Sequence, residues 1–243
     1  MHRFYAPLIA STLALPEEES RHAARVLRLA EGEAIEVIDG YGTLYSCRIT
    51  LSHPKHTQVH IEERRHITPH WGRQIVVAVA PPKHMERMEW VVEKCTEMGV
   101  DHIIPLLCDH SERKQLKTER LAKIMVAAMK QSLKTTLPRL DELTPLREVI
   151  DMPFDGQRLV AYCDQSLPRD KRLSLPQVIK ATGNVMVLIG PEGDFSPHEV
   201  DALLAAGFTP VTLGQSRLRT ETAAIMACAA AHVVHQQGNN QQS

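Results

Sequence analysis

From residue 74 onward the chain alternates short, almost wholly apolar runs with amphipathic helical stretches, and few folds accept that alternation. The runs are "QIVVAVA" from Gln74, "HIIPLL" from His102, "RLVAYC" from Arg158, "NVMVLIG" from Asn184 and "TPVTLG" from Thr209. A strand apolar on both sides belongs in a sheet covered on both faces, and strands separated by helices run parallel. The expected fold class is therefore α/β with a mainly parallel sheet. Between the first two runs, "KHMERMEWVVEKCTEMG" puts Met85, Met88, Val92 and Cys95 on one helical stripe that packs against the core, and Gly99 caps the helix.

The first 70 residues follow another period. "EAIEVID", "TLYSCRITL" and "TQVHIEERR" alternate apolar with polar residues, and the Asp39-Gly40 step between the first two is a hairpin signal. They describe a small β domain. "HITPHWG", with Pro69 and Gly72, has no periodicity and marks the boundary, giving domains 1–70 and 71–243. Ahead of the strands, "LPEEESRHAARVLRL" predicts a helix with Pro16 at its first position, Glu17, Glu18 and Glu19 at its positive end, and Gly32 ending it. Arg21, Arg25 and Arg28 then fall along one side, beside His22. That side is either a phosphate-contacting edge or an exposed face paired with the glutamates. The polar tail "QQGNNQQS" is expected to fray.

Composition narrows the function. With 243 residues, 43% of them hydrophobic, the chain suits two domains. No run approaches the roughly 18 apolar residues of a membrane span, and "MHRFYAPLIAS" lacks the apolar run and cleavage site of a signal peptide, so a cytoplasmic protein is expected. Cys47, Cys95, Cys108, Cys163 and Cys228 sit mostly among apolar neighbours without CxxC spacing and read as buried reduced thiols. His53, His56 and His60 lack the partners of a ligand set, so no metal is expected. The net charge of −1 gives no general attraction for nucleic acid, but residues 113–139 carry eight Lys/Arg against one acid, Glu119. On a helix, Arg120, Lys123, Lys130 and Lys134 share one face, with Leu121, Met125, Ala128 and Met129 opposite. The basic stripe is either a binding face or an ordinary solvated exterior.

Two glycine-tipped strand ends carry the chemistry. "LIGPEGDFSPHEV" leads from a buried strand into a helix that opens with Ser196, Pro197 and Glu199, a capping box. "LGQSRLRTETAA" follows another strand and precedes an Ala-rich helix. In open α/β sheets this edge binds ligands, and glycine lets main chain touch them. Neither stretch has the GxxxxGK[ST] pattern, and GxGxxG is absent, so a nucleoside without a phosphate cradle fits better, with Leu188, Ile189, Leu213 and Leu218 as walls. Ordinary turn chemistry is the alternative account of these glycines.

Together the two stretches resemble the paired signature of the RsmE family, S-adenosylmethionine-dependent methyltransferases of small-subunit ribosomal RNA within the SPOUT superfamily. The resemblance extends through "HRFY", "HAARVLRL", "VIDGYG" and "EKCTEMGV" and so covers nearly the whole chain. Asp194 stands where many relatives have a second glycine. The resemblance implies a PUA-like β barrel that holds RNA, a C-terminal α/β domain tied in a trefoil knot, and a homodimer. It implies a cofactor site at Leu188, Ile189, Gly190, Pro191, Glu192, Gly193, Leu213, Gly214, Leu218, Thr220 and Ala223. The implied reaction methylates N3 of a uracil in 16S ribosomal RNA, with the assembled 30S particle as the expected partner. Arg219 is then the candidate for stabilising the uracil anion or gripping a phosphate, and Glu221 for taking the proton or holding Arg219; a purely structural Arg219–Glu221 ion pair is the competing account. Arg3, Arg25, Arg28, Arg113 and Lys114 become the candidate RNA contacts. The rivals are a SPOUT enzyme acting on a ribose hydroxyl or transfer RNA, and a non-catalytic RNA-binding protein.

Overall fold

The structure is a computed structural model, and it describes residues 1–69, 72–162 and 173–240. The chain forms two compact units, Met1–His70 with Val126–Leu137, and Trp71–Met125 with Pro138–Ser243. Cys163 and the expected boundary at residue 71 lie outside the described residues.

In the first unit a four-stranded sheet has the order β1 (Arg3–Tyr5), β2 (Ala34–Ile38), β3 (Thr43–Leu51), β4 (Gln58–His66). β1 runs parallel to β2, and the other pairs are antiparallel. The alternation predicted for these strands buries Ile35, Val37, Cys47, Ile49 and Val59 around Phe4 and Ile9. The outer half of edge strand β4 is exposed and charged, through Glu62, Glu63, Arg64 and Arg65, which discourages pairing with another chain. Asp39 shapes the hairpin: its Oδ1 accepts from the Tyr41 and Thr43 amides at 2.8 and 3.0 Å, and Gly40 and Gly42 take φ of 84° and 96°. Residues 126–137, which the sequence placed wholly in the second domain, complete this unit. Met129 and Leu137 pack on Ile38, Leu44 and Tyr5.

The N-terminal helix departs from expectation. After α1 (Ile9–Thr12), α2 covers only Glu17–Arg21, and His22–Val26 form a π-helical turn. A π turn has a longer period than the α-helix, so Arg21 and Arg25 drift off a common line. Arg28 adopts φ 55°, which ends the helix well before Gly32. The i, i+4, i+7 row therefore does not form, although Arg21, Arg25 and Arg28 are all exposed.

The second unit is built on a seven-stranded sheet. Its order is β11 (Thr209–Val211), β9 (Gly156–Ala161), β10 (Asn184–Ile189), β5 (Ile75–Val79), β6 (His102–Leu107), β7 (Arg139–Leu140), and every neighbour pair is parallel. β8 (Thr144–Pro145) pairs with β6 beyond β7, the change falling opposite Ile104 and Pro105, where proline offers no amide to a neighbour. All five predicted strands are present, and the parallel α/β class holds. α3 (Met85–Met98) buries Met88, Val92 and Cys95, leaves Met85 half-buried, and ends on Gly99 at φ 102°. α5 (Leu146–Asp151), α6 (Leu175–Val178), α7 (Pro197–Ala205) and α8 (Thr220–Asn240) complete the helices. α8 is described through Asn240, and the last three residues of the polar tail lie outside the described residues.

α4 (Thr118–Gln131) buries Leu121, Met125, Ala128 and Met129, as the period predicts. Lys134 is not on it, because Leu133 turns left-handed at φ 59° and ends the helical path. The stripe is also partly neutralised: Arg120 pairs with Glu89 at 2.7 Å and Lys130 with Glu19 at 2.6 Å.

Cys47, Cys95, Cys108 and Cys228 are buried free thiols. Burial pushes the Cys47 thiol up to about 11 and raises Cys108 further, with Glu199 and Asp109 adding to it, so neither is a ready nucleophile. His235 on α8 is fully buried, and neither ring nitrogen has a hydrogen-bond partner among the described residues. Burial, then Arg73 and His232, push its pKa from 6.5 down to about 4. The folded chain thus keeps His235 neutral while the unfolded chain protonates it below about pH 6.5. Stability is expected to fall as pH drops through that window. In urea unfolding at pH 7 and pH 5, His235→Leu should reduce this loss relative to the parent.

Candidate functional site

Parallel strands send all their carboxyl ends to one edge, and register decides which ends are neighbours. Ile189 of β10 pairs with Val79 of β5 on one side and Ala161 of β9 on the other, and Ala161 pairs with Val211 of β11. The loops after β10 and β11 therefore emerge on the same edge with only β9 between them. The Thr220 hydroxyl at the start of α8 lies 3.5 Å from the Gly190 carbonyl, which it approaches as donor, so the two glycine-bearing stretches meet.

The loop after β10 is locked by its own helix. Ser196 caps α7, its hydroxyl accepting from the Glu199 amide at 3.3 Å while Glu199 Oε2 accepts from the Ser196 amide at 2.8 Å. The capping box read from the sequence is thus present. A further tie comes from the loop after β6: the Asp109 amide donates to Glu199 Oε1 at 2.8 Å, and the Ser196 hydroxyl donates to Asp109 Oδ2 at 2.6 Å. His110 Nδ1 stands 3.2 Å from the Gly193 carbonyl and 3.0 Å from that of Asp194, so this nitrogen carries the proton and donates. The loop after β5 joins through the Lys83 amide, which donates to Glu192 Oε1 at 3.1 Å.

The glycines divide into two kinds. A methyl group at Gly190 would meet the Phe195 ring at 3.0 Å, and one at Gly193 would meet His110 Cβ at 3.1 Å. Side chains of the fold already fill those spaces, so a ligand must approach these residues from the main-chain side. Gly214 has φ 123° with open space around it. Asp194 takes φ 63°, a conformation glycine adopts freely, and its carboxylate steadies the turn by accepting from the Phe195 amide at 2.8 Å.

Among the predicted walls, Leu213 and Leu218 are half-buried at the edge. Leu188 and Ile189 are buried, and Leu188 belongs to the sheet core with Phe195, Val76 and Ile104. Pro191, Thr220 and Ala223 are buried, and Glu192 is exposed. Arg219 is exposed. Glu221 does not pair with it; its Oε1 lies 3.5 Å from Arg87 Nε on α3. Arg87 is a residue that sequence reading missed; only its approach to Glu221, from α3 to α8, reveals it.

Of the candidate RNA contacts, Arg25, Arg28 and Lys114 are exposed. Arg3 is mostly buried against Glu36 at 2.6 Å, and Arg113 donates to the Lys83 carbonyl at 2.7 Å. Among the described residues no group of three or more His, Cys, Asp or Glu is placed to hold a metal, and no helix is long and apolar enough to cross a membrane. A hollow of about 490 Å³ opens at the opposite, amino edge of the sheet beside Arg158, Lys180 and Asn184. The Arg158 guanidinium there is spent on the carbonyls of Ile150 and Met152, so the carboxyl edge is the better candidate site.

An RNA methyltransferase domain model matches residues 69–232, and an RNA methyltransferase PUA domain model matches residues 15–62. A probable rRNA-methyltransferase of known structure from Porphyromonas gingivalis is 41% identical and superposes with a TM-score of 0.92, covering 98% of this chain and 99% of that one. A ribosomal RNA small subunit methyltransferase E from Neisseria gonorrhoeae, solved bound to S-adenosyl methionine, is 28% identical with a TM-score of 0.82 over 96% of this chain and 98% of that one. The ribosomal RNA small subunit methyltransferase E of Aquifex aeolicus is 28% identical over 93% of this chain and 96% of its own length.

Ser196→Ala removes the helix cap and leaves Asp109 without its hydroxyl donor. It is expected to destabilise the chain by about 1–2 kcal/mol in urea unfolding.

Proposed function

Since the chain belongs to the RsmE family of RNA methyltransferases, we propose that it transfers a methyl group from S-adenosylmethionine to N3 of a uracil in small-subunit ribosomal RNA. The observation that carries this reading is the meeting of the Gly190 and Thr220 stretches at the carboxyl edge of the sheet. The residues there suit an adenosine: half-buried Leu213 and Leu218 for walls, exposed main chain at Gly193 and Gly214, and no phosphate cradle. Bound S-adenosylmethionine supplies a methyl group on a sulfonium, an electrophile that needs no further activation. The protein's tasks are then alignment and removal of the N3 proton.

Arg219, exposed beside the two loops, offers fixed donors to the uracil oxygen or to a neighbouring phosphate. Glu221 takes the proton. Arg25, Arg28 and Lys114 are the exposed members of the basic set and make the phosphate contacts that orient the RNA. Arg3 and Arg113 already have a guanidinium edge bonded and act mainly by bracing those surfaces. In this reading the substrate is the assembled 30S particle, and the enzyme is a cytoplasmic homodimer of chains with a trefoil-knotted second domain.

The test is incubation with labelled S-adenosylmethionine and either small-subunit particles or naked ribosomal RNA, followed by digestion to nucleosides. Label is expected in 3-methyluridine and mainly from particles. Label in a 2′-O-methylated nucleoside would overturn the ring-nitrogen assignment. Arg219→Ala is expected to lower the methylation rate about 10²–10³-fold while leaving cofactor affinity within about threefold. An unchanged rate would remove Arg219 from the chemistry.

A further inference from the structure

Glu221 occupies an unusual position for a carboxylate. It lies in the first turn of α8, its side chain is only 12% exposed, and its Oε2 is buried with no hydrogen-bond partner among the described residues. A carboxylate at a helix N-terminus is favoured by the helix dipole, but that does not supply a donor to Oε2. The other oxygen has a partner: Arg87 Nε stands 3.5 Å from Oε1. Arg87 sits in the first turn of α3, its own amide donating to the His84 carbonyl at 3.1 Å. α3 follows β5 and α8 follows β11, so both helices begin at the carboxyl edge where the glycine loops meet.

The pair is not needed to hold the helices together. Cys95 of α3 and Cys228 of α8 are fully buried, and each places its sulfur about 4 Å from a carbonyl of the other helix, Cys95 toward Ala224 (4.0 Å) and Cys228 toward Cys95 (3.9 Å). The Arg87 side chain is 32% exposed, and an ion pair at that exposure and distance adds little stability. What the guanidinium does is restrict the carboxylate from its Oε1 side, while Oε2 is left without a partner among the described residues.

We propose that Arg87 is a positioning residue for methyl transfer: its guanidinium, set against Oε1, fixes the Glu221 carboxylate at the carboxyl edge where it meets the N–H of the target base. The inference rests on the methyl-transfer reading above, in which Glu221 takes the N3 proton. Because Arg87 acts through Glu221, its loss should appear in the chemical step and not in cofactor binding or folding.

The experiment measures kcat, KM for RNA, S-adenosylmethionine affinity and melting temperature for the parent, Arg87→Gln, Arg87→Lys, Glu221→Gln and the Arg87→Gln/Glu221→Gln double variant. Arg87→Gln is expected to lower kcat by about 10- to 100-fold with cofactor affinity and KM within about threefold. Arg87→Lys, which keeps the charge, should recover most of the loss and guards against a folding defect in the glutamine variant. The double variant should be no slower than Glu221→Gln alone, because the two residues form one device. The inference is overturned if Arg87→Gln keeps kcat within about twofold, if its loss lies only in melting temperature or cofactor affinity, or if the two losses multiply in the double variant. A parent chain that methylates no uracil would instead defeat the underlying reading, which separates the two failures.

Discussion

The arrangement depends on the insertion of β10 between β9 and β5. A strand in that place is flanked by hydrogen-bonded neighbours on both sides and covered on both faces, so it tolerates no polar interior, and Val185 to Ile189 are all buried. Its register brings Ile189 level with Val79 and Ala161, and hence fixes where the chain turns at Gly190. Phe195 then folds back over Gly190 into the sheet core, which keeps the connector short and its main chain outward. Three neighbouring loops fasten to that connector through Lys83, Asp109, His110 and Thr220. The site is a consequence of sheet order more than of any one side chain.

Much of this was legible in the sequence because its signals are local. The five strands show as apolar runs, α3 as a stripe ending at Gly99, and the start of α7 as the Ser196–Glu199 box, each decided within a few residues of itself. What stayed hidden depends on non-local pairing. Nothing near Asn184 says that its strand lies between β9 and β5, and nothing near Val126 says that residues 126–137 pack in the first unit. The same holds for Arg87, whose partner on α8 lies far along the chain, and for Leu188, which periodicity could not distinguish as core instead of wall. The π turn at His22–Val26 was missed for another reason: its residues are acceptable in an α-helix, and only the left-handed Arg28 betrays the change.

Charge counted along a sequence also differs from charge available at a surface. Arg3, Arg120 and Lys130 each face a glutamate, so part of the basic excess is neutralised by pairing within the chain. The basic charge left over is smaller and more dispersed than the count along the sequence suggests, so the chain offers less broad attraction to a polyanion than that count implies.

The reciprocal bonding of Asp109, Ser196 and Glu199 bears on how this protein can change over generations. One hydroxyl gives to a carboxylate while receiving from an amide, and both oxygens of the glutamate are spent on the main chain of its two companions. Altering the serine or the glutamate leaves a buried partner's amide unsatisfied. Drift at Ser196 and Glu199 should therefore be concerted or arrested, and a lineage that lost the serine would be under pressure to rebuild the glutamate with it.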